Sequence, residues 1–215
     1  MKPLKTKKLL ITPMTDEELG EKIAREKEAH MSAALREMLD GCRQHPQDRD
    51  WYTGWRITLQ TTGEEIGSLG FHGVPEKGQV EIGYGIEQAY QRQGLGTEAV
   101  RAAVEWAFSQ TNVYFVTAEA EEDNLASVRL LEKLQFAECG RGEEGVCFEK
   151  EKPASVYLPI FMCLFMSVGL SIGAAMDHMA MGSCFGIAIG FMLGAALDAS
   201  DKKKREEMKK EWQRN

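Results

Sequence analysis

The chain has 215 residues, a formal net charge of −7 and 43% hydrophobic residues, the size of one medium domain or one domain with an appendage. Residues 1–152 hold 19 Lys/Arg against 27 Asp/Glu, or −8, whereas 153–215 hold 7 against 6, or +1, and residues 154–197 contain a single formal charge, Asp177. An acidic front segment excludes a phosphate-backbone binder, so no nucleic-acid partner is expected, and the uncharged stretch argues against a freely soluble single globule. The five cysteines (Cys42, Cys139, Cys147, Cys163, Cys184) are odd in number and form no CxxC pair. With four histidines, they spell neither a disulfide framework nor a zinc site, and no metal is expected. The basic N-terminus lacks a long apolar core, so no secretory signal is expected, and the front domain should sit in a reducing cytosol.

In chain order, Leu9–Pro13 reads as an opening strand. Thr15-Asp16-Glu17-Glu18 is a T-x-x-E capping box, and its acids suit the positive end of a helix. A helical pattern continues to about Arg43, as two helices breaking near Glu28–His30. Trp51–Leu59, Glu65–Gly73 and Gln79–Ile86 alternate as strands, joined by turns at Thr62-Gly63-Glu64 and Pro75-Glu76-Lys77-Gly78. Gly94–Ser109 is helical, with Leu95, Ala99, Val100, Ala103, Val104 and Ala107 on one face. Tyr114–Ala120 is a strand, Asn124–Leu134 a short helix with Asn124 as N-cap, and Ala137–Gly140 with Val146–Lys150 a closing pair. The order β-αα-βββ-α-β-α-ββ predicts an α+β domain with a mixed sheet flanked by helices.

The segment that carries chemistry is Gln91-Arg92-Gln93-Gly94-Leu95-Gly96-Thr97, between a strand and a helix start. Two glycines let main chain approach a ligand, the free N–H groups of the first helical turn form an anion site, and Arg92 adds a cation. A P-loop is excluded because its lysine is missing. Gly94-x-Gly96-x-x-Ala99 satisfies a dinucleotide fingerprint, but the apolar strand ends near Ile86, too far upstream of the first glycine.

Gln91-x-x-Gly94-x-Gly96 resembles the Q/R-x-x-G-x-G/A signature of the GNAT superfamily of acetyl-CoA-dependent N-acetyltransferases. Glu81-Ile82-Gly83-Tyr84-Gly85-Ile86, Asn124-Leu125-Ala126-Ser127 and Leu130-Leu131-Glu132-Lys133-Leu134-Gln135-Phe136 follow the same pattern. The likeness covers about Leu9–Lys150 and is nearest to the branch with the ribosomal-protein N-terminal acetyltransferases. It implies a GNAT-like mixed sheet, acetyl-CoA as co-substrate and an amine acceptor. Backbone around Ile86 would pair with the pantetheine arm. Gln91, Arg92, Gln93, Gly94, Leu95, Gly96 and Thr97 would hold the pyrophosphate, Asn124 would hydrogen-bond near the pantetheine or thioester end, and Ser127 would be a further coenzyme contact. Asn124 alternatively only caps its helix, and Ser127 is alternatively a plain helix residue. The resemblance implies direct transfer of the acetyl group to a deprotonated amine. A tyrosine often present in the last helix, placed to protonate the leaving thiolate, falls at Leu131, leaving that role empty or to solvent. Glu81 is the candidate general base, or alternatively a structural hydrogen-bonder. The face of its strand that looks into the cleft is not derivable from sequence. The acceptor pocket is implied at Glu17–Arg43 and His45–Asp50.

Behind residue 152 the pattern changes. Ala154–Met176 and His178–Leu197 each run uncharged for a length that spans an apolar layer of about 30 Å as a helix. Asp177-His178 alone separates them, predicting a helical hairpin over 153–200. Gly169 and Gly173, then Gly182, Gly186, Gly190 and Gly194, recur every fourth residue, a glycine-zipper row that lets helices approach closely. Lys202-Lys203-Lys204-Arg205 and Lys150/Lys152 flank the arms, so the positive-inside bias puts both termini in the cytosol, and 201–215 reads as a charged, basic tail helix. The expectation is an acetyltransferase domain over 1–152, anchored to the cytoplasmic membrane or self-associating through 154–197. The alternative is a non-catalytic CoA-binding sensor coupled to a membrane oligomerisation hairpin.

Overall fold

A computed structural model of the chain describes residues 2–142, 145–154 and 156–212. It divides into two compact units, Met1–Lys152 and Pro153–Asn215.

The first unit is a mixed sheet flanked by helices, as the order of patterns predicts. Its strands are β1 (Leu4–Lys5), β2 (Leu9–Pro13), β3 (Gly54–Leu59), β4 (Glu65–Phe71), β5 (Gln79–Ile86), β6 (Phe115–Ala120), β7 (Ala137–Arg141) and β8 (Val146–Glu151). They lie in the order β1-β2-β3-β4-β5-β6-β8-β7, antiparallel throughout except for β5 beside β6. A parallel neighbour needs a crossover. Helix α4 (Leu95–Ser109) supplies it, burying the predicted face of Leu95, Ala99, Val100, Ala103, Val104 and Ala107. Leu9, Ile11, Ile57, Ile66, Ile82 and Val116 meet this face from the sheet, all fully buried or nearly so.

Helices α1 (Asp16–Arg25) and α2 (Ala29–Gln44) follow β2. The capping box forms: Thr15 accepts from the Glu18 amide at 3.2 Å, and Glu18 accepts from the Thr15 amide at 2.9 Å. Two details depart from the pattern. A short edge strand β1 precedes the opening strand, and Trp51 belongs to a turn of helix, α3 (Arg49–Tyr52), so that β3 starts only at Gly54. The helical turn is fixed from outside: the Trp55 indole N–H donates to the Asp50 carbonyl at 3.0 Å, and Trp51 packs tilted against Trp106 and edge-on against Phe71. Alternation alone does not reveal such tertiary anchoring. The odd cysteine count also conceals a neighbouring pair, for Cys139 and Cys147 Sγ lie 2.8 Å apart across β7 and β8. Burial pushes the Cys147 thiol up to about 12.

The second unit is a hairpin of α6 (Tyr157–Ala175) and α7 (Met179–Trp212). The turn at 176–178 is closed by Asp177 in a left-handed conformation, φ +56°, and by the His178 amide donating to the Gly173 carbonyl at 2.8 Å. Sequence sets off 201–215 as its own helix, but α7 runs unbroken through Trp212; Arg214 and the other residues from 213 to 215 lie outside the described residues, as does Ser155 within 153–200. Nothing in Ala199-Ser200-Asp201 breaks a helix, so a change of polarity is not a change of backbone. The glycine rows face each other within the hairpin. A Cβ at Gly190 would lie 2.6 Å from the Phe161 carbonyl oxygen, and one at Gly194 2.6 Å from Leu158 Cα. Asp198 accepts from the Tyr157 and Leu158 amides at 3.0 and 3.1 Å, satisfying two orphan donors at the start of α6.

Candidate active site

The site begins where two strands part. β5 pairs with β6 only over Gln79, Val80 and Glu81, opposite Phe115, Val116 and Thr117. Beyond that point β5 continues to Ile86 beside β4 alone, while β6 continues to Ala120 beside β8 alone. The β6-facing edge of β5 after Glu81 therefore offers backbone groups with no strand partner, which an extended ligand can satisfy. The faces of β5, undetermined by sequence, are now assigned. Val80 and Ile82 are buried on the side where Tyr84 and Ile86 also pack, whereas Glu81, Gly83 and Gly85 face the other way.

On the Tyr84 side lies a cavity of about 770 Å3. Of the residues that sequence assigns to the coenzyme, Ile86, Gln91, Arg92, Gly94, Gly96, Thr97, Asn124 and Ser127 line it. Gln93 and Leu95 do not. The Gln93 side chain donates to the Ala89 carbonyl at 3.2 Å, and Leu95 is buried in the core, leaving only its main chain to the cavity side. Gln91 likewise braces the loop, donating to the Ile86 carbonyl at 3.0 Å. Arg92 and Gly94 have φ of +60° and +79°, turning the chain sharply into α4. For Arg92 this is a conformation non-glycine residues seldom adopt. The first intrahelical bond of α4 comes from the Glu98 amide to Gly94 at 3.1 Å, so the amides of Leu95, Gly96 and Thr97 have no helical acceptor. Glu98, an acid in that same turn, is led away: it accepts from Thr6 Oγ1 at 2.6 Å and the Lys8 amide at 2.7 Å. Burial would raise its carboxyl, but those hydrogen bonds outweigh burial and hold it below its ordinary value.

Helix α5 (Leu125–Lys133) forms the opposite wall. Asn124 caps it, its Oδ1 accepting from the Ser127 amide at 3.1 Å. Ser127 Oγ and Tyr84 Oη lie 2.7 Å apart, and burial raises the Tyr84 phenol above its ordinary value. Leu131, the position of the missing tyrosine, is fully buried in the core. From β5, Tyr84 brings a hydroxyl to the same cavity on the face it shares with Ile82 and Ile86. Arg129 and Lys133 also line the cavity. Sequence reasoning passed over both, although their spacing of four on one helix was visible. With Arg92 they give the described lining three cations and no carboxylate, a fit for a polyanionic ligand. Among the described residues, no group of three or more His, Cys, Asp or Glu is placed to hold a metal ion.

On the opposite face of β5, Glu81 Oε1 lies 3.3 Å from His72 Nδ1. His72 lines a second cavity of about 1000 Å3, walled by α2 residues such as Glu37 and Asp40 together with His45 and Tyr52.

Comparison with known proteins gives this architecture its class. The model of the acetyltransferase (GNAT) domain family matches residues 8–137, more than half of the chain. The chain belongs to that family. It is 38% identical over 86 residues to the uncharacterized N-acetyltransferase YjdG of Bacillus subtilis (strain 168), a match covering 40% of this chain and 51% of that protein. The chain thus spans about half the length of the curated relatives it matches. Among solved structures, the ribosomal-protein-S5-alanine acetyltransferase of Vibrio fischeri superposes with a TM-score of 0.56 at 14% identity, covering 71% of this chain and 98% of that one. A ribosomal L7/L12 alpha-N-protein acetyltransferase in complex with coenzyme A gives 0.57 at 15% identity, covering 72% and 100%. At such identities the likeness is one of fold.

Proposed function

We propose that the chain is an acetyl-CoA-dependent N-acetyltransferase acting on a primary amine and tethered to the cytoplasmic membrane by its C-terminal hairpin. The observation that carries the transferase reading is the parting of β5 from β6 beside a cationic, acid-free cavity at a helix start. In this reading the α4 amides of Leu95, Gly96 and Thr97 take the diphosphate, reinforced by the helix dipole and Arg92. Arg129 and Lys133 add positive charge for the remaining phosphate. The free edge of β5 near Ile86 pairs with the pantetheine amides, and unpaired backbone N–H groups stabilise the oxyanion of the tetrahedral intermediate. Asn124 shapes the thioester end by fixing the start of α5. The Tyr84–Ser127 hydroxyl pair is the proton source for the departing sulfur, and the Glu81–His72 pair, on the opposite face of β5, serves the amine's side of the reaction. Holding both reactants in one cleft supplies much of the acceleration.

For the tether, two helices are long and apolar enough to cross a membrane, α6 with mean hydropathy 2.0 and the Met179–Lys210 part of α7 with 1.8. Large apolar side chains such as Phe185, Phe191 and Ile160 point outward. The cytosolic orientation rests on fewer cations than sequence suggests. Lys150 donates to the Leu134 carbonyl and Lys152 to the Gln110 carbonyl, both within the first unit. Arg205 is buried against Asp201 and the Pro153 carbonyl, while Lys202 and Lys203 make only long, exposed ion pairs with Glu206 and Glu207, at 4.0 and 3.8 Å, weak enough for these lysines and Lys204 to turn to anionic headgroups. Self-association would have to use the outer face, because the glycine rows are occupied within the hairpin.

Calorimetric titration of the full-length protein in detergent tests the coenzyme site. Acetyl-CoA should bind, and Arg129→Glu with Lys133→Glu should weaken it at least tenfold while the melting temperature without ligand stays put. Binding without transfer to any of a varied amine panel would support the sensor instead. Removing 153–215 should move the protein from the membrane pellet to the supernatant; continued sedimentation would refute the tether.

A further inference from the structure

The register of β4 and β5 sets Phe71 opposite Ile82, so the next pair is His72 and Glu81, and the His72 amide donates to the Glu81 carbonyl at 3.1 Å. Cross-strand partners share a face, and here their side chains meet, Nδ1 to Oε1 at 3.3 Å. The other ring nitrogen lies over the glycine run: a Cβ at Gly83 would sit 3.4 Å from His72 Nε2. Gly83 lies where β5 has lost its β6 neighbour, on the strand segment that the transferase reading gives to the coenzyme's reactive end. Glu81 itself is not part of the wall of the cavity on this side, whereas His72 is.

We propose that His72, not Glu81, is the base that accepts the proton of the acceptor amine, and that Glu81 is its positioning residue. This rests on the transferase reading of the site. A carboxylate beside Nδ1 favours the neutral tautomer that carries its proton there and its lone pair on Nε2. The acceptor enters through the α2-side cavity as an ammonium and gives one proton to Nε2. Its freed electron pair forms the N–C bond to the thioester carbonyl carbon, and the C–S bond breaks with its pair going to sulfur. The nitrogen's second proton balances the one taken up by sulfur, and His72, open to solvent, releases the first. The products are an amide, a free thiol and one proton. The glycine at 83 has a role in this scheme, since a side chain larger than a methyl there would occupy the space beside Nε2 that the amine needs.

The test uses the full-length protein in detergent micelles, with alanine- and serine-led tetrapeptide amides and hydroxylamine as acceptor probes and thiol release from acetyl-CoA as the signal. Nitrogen-15 spectra of labelled histidine should show His72 as the Nδ1–H tautomer, and Glu81→Gln should redistribute it. His72→Gln should lower kcat at least tenfold with the acetyl-CoA Kd within twofold, and added imidazole should restore turnover to His72→Ala. Turnover of His72→Gln within twofold of wild type overturns the assignment. So does a tautomer that ignores Glu81→Gln. Wild-type protein that releases no thiol with any probe also overturns it, and its acetyl-CoA affinity then says whether the coenzyme reading falls as well.

Discussion

The two units of the chain are packed inside out relative to one another. In the first, Trp55, Ile57, Ile82 and Leu131 are at most 1% exposed, as burial of apolar surface from water demands. In the hairpin the buried residues among those described from 156 to 197 are all glycines, namely Gly169, Gly173, Gly186, Gly190 and Gly194, while Ile160, Phe185 and Met192 are more than half exposed. One side hides its large side chains and the other its smallest. The hydrophobic effect organises the first unit, and backbone-to-backbone van der Waals contact the second, where the greasy exterior needs an apolar surrounding.

Substitutions that exchange these logics should sharpen the contrast. The largest effect is expected from Gly190→Leu, whose Cβ would meet Phe161 and Met162 main chain at 2.6 and 2.9 Å. The hairpin should open, seen as a loss of spin-label distance between α6 and α7, while urea unfolding of the first unit does not move. Leu131→Ala should do the reverse, lowering the first unit's stability by about 2–5 kcal/mol in urea titration and sparing the hairpin distance. Thr15→Ala removes one half of the capping box and should cost about 0.5–2 kcal/mol on the same titration. The smallest effect is that of acid. The Thr15 amide holds the Glu18 carboxyl below its ordinary 4.5, and hydrogen bonds overcome burial to do the same for Glu98. Folded-state values below the unfolded one give stability that is present above pH 4.5 and lost as pH falls through the lowered values. The melting temperature of the first unit should therefore drop on acidification below about 4.5. Glu18→Gln should shallow that drop, and an unchanged slope would assign it elsewhere.

What could be read from the chain follows from range. The capping box, the apolar face of α4 and the glycine-bordered helix start are local patterns, and the residues themselves specify them. The helical turn at Trp51 was not legible because Trp106 and Phe71, distant in sequence, decide it. Tyr84 reads from its alternation with Ile82 and Ile86 as a core residue more than an acid, and His72 is not singled out at all, for a related reason. Ser127 meets Tyr84 from α5 and Glu81 meets His72 across the strand register, and only the fold brings these partners together. Gln91 and Gln93 show the converse: their signature positions were visible, yet their side chains brace the loop. Lys150 and Lys152 looked like flanking cations until carbonyls of the first unit claimed them.

The carboxylate of Asp198 reaches amides that precede it by 41 and 40 positions. Synthesis runs from the first arm to the second, so the start of α6 is made well before the residue that satisfies those donors. The first arm thus cannot be sealed until nearly the whole second arm has been made, which favours closure of the hairpin as one late event and not arm by arm.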